Sequence, residues 1–587
     1  MNTLILFLII IPIVCAAIVF LIPEKYKRYK DIFFIAVAVF NLWAVCFYFT
    51  KNIFIFCAGA AFDFSFSVIM SRFSELLLVI SAVFVLLASI FAVNNMKNNP
   101  KSPLLNAGML LAVSFVNGAV ITDSLIFLLI FMEAMAIPFV MMILSSENDN
   151  KKLAVKAFTI TAIADLFLMM GIGFIYSLAK TMNMSEVSLN LTGLLPITAF
   201  VCVIIGAAGK LGVMPFHSWL PEASEKTPVS FMVFMATAAE KILGIYILYV
   251  ALKMFGVENG NCVTYILMGF AAVSAFVSAL MSNSQKSFKK MLAYTSISQG
   301  SFMMIAMLTA LPIAVAGAVL HLLAHTIYKS CLFFIAGIID DSKTETVSYK
   351  KNPYIFLCFI LAIASFIGIP FFAAFYSKEM IYEGALHLGV VWHIIMVLVT
   401  FFCSSAALKW LGKIFFNNDD EFFEYPLTSM IPVLTTAFLC LLCGIFRNIP
   451  EAIIQTVIPF PSEENANLIL IIVSSSALGI VFINFIIGHK KYKNGLGFVK
   501  PIISSLGIDK LNENENADPY NMAMSIYDYF AEASFSFDKA LNWVYDIAFV
   551  KPVLFCSQQL DKVHNGSLSR YILWALCGLA LIILFFV

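Results

Sequence analysis

Ten side chains with acid–base chemistry stand inside long apolar runs or just past breaks in them: Glu133, Asp165, Lys210, His217, Glu240, Lys241, His321, His325, Lys329 and Lys378. A charge at membrane depth is costly and marks an ion or proton path by default. Lys210 lies in GAAGKLGVMPFHSWLPEASEKTPVS (206–230), where Gly212 and Pro215 break the run and His217 follows. Broken helices survive in hydrocarbon only where the freed backbone lines a cavity or packs on protein, and they point to a transporter's ion path. The competing reading is a loop lysine just beyond a shorter helix.

Glu133 falls mid-run in LIFLLIFMEAMAIPFVMMIL, and Lys210 is its natural counter-ion. Alternatively, it is a protonated acid bonded to a carbonyl. Asp165 lies a turn or two inside its run, placed either for function or for pairing with Lys156. Glu240 and Lys241 are neighbours in FMVFMATAAEKILGIYILYV. Adjacent helical residues point about 100° apart, so each needs a partner on another helix. Lys241 reads as the next site inward from Lys210.

His321, His325 and Lys329 recur every four residues, which keeps them on one helix stripe. Imidazoles titrate near neutrality, so a proton relay is the favoured reading. A metal pair and a structural histidine pair compete with it, but no third ligand is near. Lys378 follows a second break, IGIPFFAAFYSKEM, and reads as a proton exit or as a lysine snorkelling to the interface.

These residues need membrane helices to hold them. The chain is 61% hydrophobic and 12% charged, with a net charge of +1 that gives nucleic acid no purchase. At about 20 residues per crossing, some sixteen spans are expected, near 4–22, 32–50, 73–93, 104–122, 124–144, 156–179, 196–215, 229–252, 262–282, 292–311, 313–339, 354–376, 388–416, 428–446, 467–488 and 569–587. No basic stretch precedes the first run, which argues for a membrane helix over a cleaved signal. Lys and Arg concentrate in loops after odd-numbered spans, so those loops face the cytoplasm and both termini face out.

Residues 51–72 partly alternate apolar and polar and suit an outer-face hairpin. Gly212-Val213-Met214-Pro215-Phe216 and Gly368-Ile369-Pro370-Phe371 occupy matching positions in two blocks of five spans, which must be mutually inverted. The domains expected are 1–103 (accessory helices), 104–252 and 262–416 (the two five-helix repeats), 428–488 (accessory helices), 489–568 (a cytoplasmic-side linker and lateral amphipathic helix) and 569–587 (a terminal span). Pro552 should kink or interrupt the lateral helix. Twelve cysteines form no framework, and the chain has no P-loop, dinucleotide fingerprint, iron–sulfur spacing or haem motif. No cofactor or metal is expected.

Four segments, GAAGKLGVMPFHSWLPEASEKTPVS, MLAYTSISQGSFM (291–303), HLLAHTIYKSCLFFIAGII (321–339) and IGIPFFAAFYSKEMI, resemble the antiporter-like subunits of respiratory complex I, membrane-bound hydrogenases and Mrp-type antiporters. The ends NADPYNMA and HNGSLSRYILWALCGL are similar to the L-type subunit, whose lateral helix braces its neighbours. The resemblance implies an all-α polytopic subunit of a prokaryotic cell membrane complex that lacks a redox centre of its own. Its partners would be other membrane subunits and the lipid bilayer. It further implies that Glu133 and Lys210 form the first charge pair, that His321, His325 and Lys329 form the central relay, and that Lys378 is the exit lysine. In this light the chain is a proton-translocating subunit of a complex-I-like or hydrogenase-type oxidoreductase; a Na⁺(K⁺)/H⁺ antiporter subunit is the alternative. MATAAEKILGIY departs from the L-type pattern at Glu240-Lys241.

Overall fold

The computed structural model describes residues 6–49, 55–61, 64–342, 346–416, 425–460, 479–487, 499–508, 518–526, 550–563 and 567–586, with isolated positions between 527 and 549. The chain divides into two units, Met1–Asn514 and Glu515–Val587.

The first unit is nearly all helix. In order, the helices are α1 (Phe7–Leu21), α2 (Lys27–Phe49), α3 (Arg72–Asn95), α4 (Ser102–Ile121), α5 (Leu125–Ala134), α6 (Ala136–Leu144), α7 (Lys151–Ala179), α8 (Leu194–Leu211) and α9 (Trp219–Lys226). They continue with α10 (Val229–Met254), α11 (Cys262–Ser284), α12 (Phe288–Leu308), α13 (Pro312–Asp341), α14 (Pro353–Ile367), α15 (Ala373–Leu388), α16 (Val390–Phe415) and α17 (Leu427–Ile445), after which come the short helices Asn448–Gln455 and Val499–Ser505. Between α2 and α3, strands β1 (Ile55–Ala61) and β2 (Phe64–Ile69) pair antiparallel, the hairpin expected for this stretch. Val68 of β2 bridges Thr122 at the end of α4.

Twelve helices among the described residues are long and apolar enough to cross a membrane, and three shorter apolar ones join them: α1, α14 and a helix in the second unit. Several expected spans take a different form. The span 354–376 divides into α14 and α15, and 196–215 stops at Leu211. In both places glycine ends the helix in the left-handed region, at Gly212 (φ 69°) and Gly368 (φ 88°), where a Cβ would be strained. The run 124–144 is interrupted at Met135. Most of the span 467–488 lies outside the described residues.

The core is α10, α12 and α13, which are buried along nearly their whole length. Flanking helices expose Trp43, Leu166 and Phe270, which suits hydrocarbon surroundings. Residues Met232–Ala239 of α10 adopt π-helical bonding just ahead of Glu240, a distortion frequent at functional sites.

Small residues bring α7 and α8 close together. A Cβ on Gly209 would collide with Ala164 Cβ, and one on Gly206 would lie 2.8 Å from Leu168 Cβ. This close approach sets Asp165 and Lys210, the neighbours of Ala164 and Gly209, face to face.

The second unit holds a helical segment at 519–526 and the helices Lys551–Val563 and Leu568–Phe586. Most of the expected lateral segment before Lys551 lies outside the described residues. Pro552 sits in the first turn of the helix Lys551–Val563.

Substituting Gly209→Val should force α7 and α8 apart, at a cost of about 1–3 kcal/mol. The check is the thermal midpoint in mild detergent, which should fall; an unchanged midpoint would contradict the close packing described here.

Candidate ion path

Lys210 is almost fully buried, and its ammonium donates to Asp165 Oδ2 at 2.8 Å. This corrects the expected pairing. The carboxylate touching Lys210 is Asp165, because the α7–α8 contact delivers it there, whereas Glu133 is exposed on the flank of α5. Lys156 turns instead to Glu222, at 3.3 Å. Glu133, Asp165, Lys210 and Glu240 nevertheless line one small cavity of about 10 Å³, at the lower limit for a single water. Three carboxyl groups therefore surround one ammonium. Asp165 Oδ1 and Glu240 Oε2 are buried without a hydrogen-bond partner among the described residues.

Glu240 and Lys241 diverge as their helical spacing requires. Glu240 faces the Lys210 cavity, while the Lys241 ammonium donates to the carbonyl of Leu211, the last residue of α8. Glycines make room for this contact. A Cβ at Gly300 on α12 would come within 2.9 Å of Lys241 Nζ and 2.6 Å of the Leu211 oxygen, and one at Gly212 within 3.7 Å of Nζ.

The second break repeats this construction. The Lys378 ammonium donates to the carbonyls of Phe366 (2.6 Å) and Ile367 (3.2 Å), the last two residues of α14. A Cβ at Gly368 would lie 3.6 Å from Lys378 Nζ. The terminal carbonyls of a helix have no partner within it, and a cation there also suits the helix dipole.

Between the two breaks runs α12. Lys329 Nζ donates to Thr295 Oγ1 (2.6 Å) and to the carbonyl of Leu292 (3.1 Å). His325 Nε2 lies 3.4 Å from Ser296 Oγ. His321 sits between Gln299 Oε1 (2.8 Å from Nε2) and Ser377 Oγ (2.9 Å from Nδ1), and the Ser377 hydroxyl is 3.1 Å from the carbonyl of Ala374. A neutral imidazole donates to Gln299 and accepts from Ser377. A doubly protonated one donates to both, while Ser377 turns its proton to Ala374. Neither state requires a heavy atom to move. The Phe366 ring lies under both Lys329 (4.8 Å) and Lys378 (5.8 Å), in the range for cation–π attraction.

Lys378 also lines a cavity of about 20 Å³ with Glu379, Tyr382, Thr400 and Ser404, enough for about one water. His217 is buried in the first break, where its carbonyl accepts the Leu220 amide, and it is not among the residues lining the Lys210 cavity. Outside the spans, Glu222 bridges Lys156 and Lys226. Burial opposes its charge, but the two lysines outweigh burial and hold its carboxyl below the usual range.

Thr295, Ser296, Gln299, Gly300, Phe366 and Ser377 carry much of this geometry, yet sequence reasoning assigned them no role. The available signal was the density of Ser, Thr and Gln in MLAYTSISQGSFM, unusual for an apolar span. No group of three or more metal-ligating residues occurs among the described residues.

Residues 122–404, which contain every group above, match the family described as NADH:quinone oxidoreductase/Mrp antiporter, transmembrane. The core of this chain is similar to that family. Subunit N of NADH-quinone oxidoreductase from Desulforudis audaxviator is 28% identical to it, over 60% of this chain and 75% of the relative. Subunit L from Campylobacter jejuni is 27% identical over 63% and 62%. A Na(+)/H(+) antiporter subunit from Alkalihalophilus pseudofirmus is 24% identical over 64% and 80%. The antiporter-like fold recurs in solved structures at 17–18% identity. In the Mrp complex from Dietzia sp. the TM-score is 0.76, over all of this chain and 63% of the other. In the archaeal membrane-bound sulfane sulfur reductase it is 0.72 over 99% of both, and in complex I from Thermus thermophilus 0.67 over 78% and 98%.

Removing one partner of a buried ion pair costs about 3–5 kcal/mol, because the other charge is left uncompensated. Asp165→Asn should therefore destabilise the chain, and adding Lys210→Gln should recover part of that loss. Thermal melts of the two singles and the double in detergent test the pair; strictly additive losses would show that Asp165 and Lys210 are not coupled.

Proposed function

We propose that this chain moves protons across a prokaryotic cell membrane as the antiporter-like module of a complex-I-like or hydrogenase-type oxidoreductase. The electron chemistry belongs to other subunits. The observation that carries this reading is the row of buried ammonium and imidazole groups from Lys210 through Lys241, Lys329, His325 and His321 to Lys378, linked by α12 and Ser377. The names of the relatives support the assembly type.

Glu133 is the input in this scheme. It is exposed on a mid-span flank, yet it lines the Lys210 cavity. A bare carboxylate is costly in hydrocarbon, so a neighbouring subunit would cover it. Movement of that neighbour alters the charge balance around Lys210, which then passes a proton toward Lys241 and the histidines; Lys378 releases it. Asp165 holds Lys210 in place, and Glu240 supplies the third carboxyl.

The matching glycine breaks, each with a lysine on its terminal carbonyls, support two inverted five-helix repeats within a set of about sixteen spans. The L-type lateral helix belongs to the same reading. A second reading, a Mrp-type Na⁺(K⁺)/H⁺ antiporter subunit, is favoured by the fold match of this whole chain to 63% of a Mrp chain.

Lys210→Met and Lys329→Met should each abolish proton translocation in sealed vesicles while the complex still assembles. Normal translocation by either variant would remove that lysine from the path. Translocation that needs Na⁺ or K⁺ but no electron donor would favour the antiporter.

Orientation has its own test. Cys262 is exposed at the start of α11, at the end expected to face out. A membrane-impermeant maleimide should label it in intact cells; labelling confined to inverted vesicles would reverse the topology.

A further inference from the structure

A chain of hydrogen bonds leads from His321 away from the row of lysines, and it has one polarity. It starts at His321 Nε2 on α13 and passes to Gln299 Oε1 on α12 at 2.8 Å. The Gln299 amide nitrogen donates to Cys403 Sγ on α16 at 3.8 Å. The Cys403 thiol lies 3.4 Å from Ser298 Oγ, and the Ser298 hydroxyl donates to the carbonyl of Ala275 on α11 at 2.8 Å. His321, Gln299, Cys403 and Ser298 are all buried, none more than 1% exposed.

The far end sets the direction. A carbonyl only accepts, so Ser298 commits its proton to Ala275 and offers its oxygen to the thiol. Cys403 therefore donates to Ser298 and turns its sulfur lone pairs to Gln299. An amide that meets a sulfur acceptor presents its NH2 group, which leaves its oxygen for His321. Reversing Gln299 would draw the thiol proton to the amide oxygen. Ser298 and the sulfur would then face each other with no proton between them, and a buried hydrogen bond would be lost.

We infer that Cys403 is a positioning residue for the proton path: through Gln299 it holds neutral His321 as the Nε2–H tautomer, with Nδ1 bare. The inference rests on the reading of His321 as a relay. Which imidazole nitrogen carries the proton is set by the bond that the other atoms offer it. An amide is too weak an acid and base to pass a proton on, so Nε2 keeps its proton throughout. Nδ1 is then the atom that gains and loses one, on the side of Ser377, 2.9 Å away and next in the chain to Lys378. The arriving proton converts imidazole to imidazolium while Ser377 turns its own hydroxyl toward the carbonyl of Ala374, at 3.1 Å. Its departure reverses both changes, and the bonds through Gln299 to Cys403 stay as they are. A thiol suits this place because it is a weak donor and a weak acceptor, able to orient the amide without competing for the proton.

The test is nitrogen NMR of the full-length chain in lipid bilayers, isotopically labelled in its histidines, with the His321 signals assigned by their loss in His321→Gln. Neutral His321 should show Nε2 protonated and Nδ1 bare. Cys403→Ala should admit the opposite tautomer and slow proton translocation in sealed vesicles about fivefold, the effect of one lost hydrogen bond. Cys403→Ser, whose hydroxyl can accept from Gln299 and donate to Ser298, should restore both readouts. A bare Nε2 in the unaltered chain, or a Cys403→Ala spectrum identical to it, would overturn the positioning role; the first of these needs no variant and so does not depend on one folding. A changed tautomer with normal translocation would confirm that Cys403 orients His321 and would remove His321 from the path, so the two readings fail separately.

Discussion

A helix that stops inside a membrane leaves carbonyl oxygens with no water to satisfy them. Here that deficit is met by lysine ammonium groups: Lys241 on the end of α8 and Lys378 on the end of α14. The exchange works in both directions. The carbonyls gain a donor, and the ammonium gains a polar seat without a full counter-charge. A cation held by neutral dipoles is less firmly fixed than one locked in an ion pair. Lys329, seated on Thr295 and the Leu292 carbonyl, follows the same rule. Lys210, paired with Asp165, does not.

The difference divides the row in two. At one end, three carboxyl groups crowd a single ammonium, and one of them, Glu133, is exposed. Along the rest, hydroxyls, an amide and carbonyls solvate each cation. α12 supplies most of them, with Thr295, Ser296 and Gln299 spaced to meet Lys329, His325 and His321 in turn. Gly300 meets Lys241 by being absent as a side chain. The buried helix with the most polar sequence is thus the one that touches the most titratable groups.

Much of the membrane architecture was legible in the sequence, because apolar runs of bilayer length, glycine–proline breaks and an alternating stretch report directly on backbone form. The hairpin at 55–69 and the helix ends at Gly212 and Gly368 were readable for that reason. The titratable residues were readable too, since each costs energy where it stands. Their pairing was not. Choosing Asp165 over Glu133 for Lys210 depends on the close approach of Gly209 to Ala164, a packing relation between two helices that no local pattern encodes. The exposure of Glu133 escaped notice because mid-span position says nothing about which flank faces a neighbour. The seats offered by Leu211, Phe366 and Ile367 were invisible, since they are backbone atoms of apolar residues.

The glycine cradle around Lys241 also sets which cation can occupy the position. Gly212 and Gly300 leave space for a single tetrahedral ammonium against one carbonyl oxygen. A guanidinium brings five donors in a planar fork and stays charged at any physiological pH. In that cradle most of its donors would go unmet, and the one it satisfied could never be released. Exchanging lysine for arginine, mild on a protein surface, would here replace a group that can lose its proton with a fixed charge.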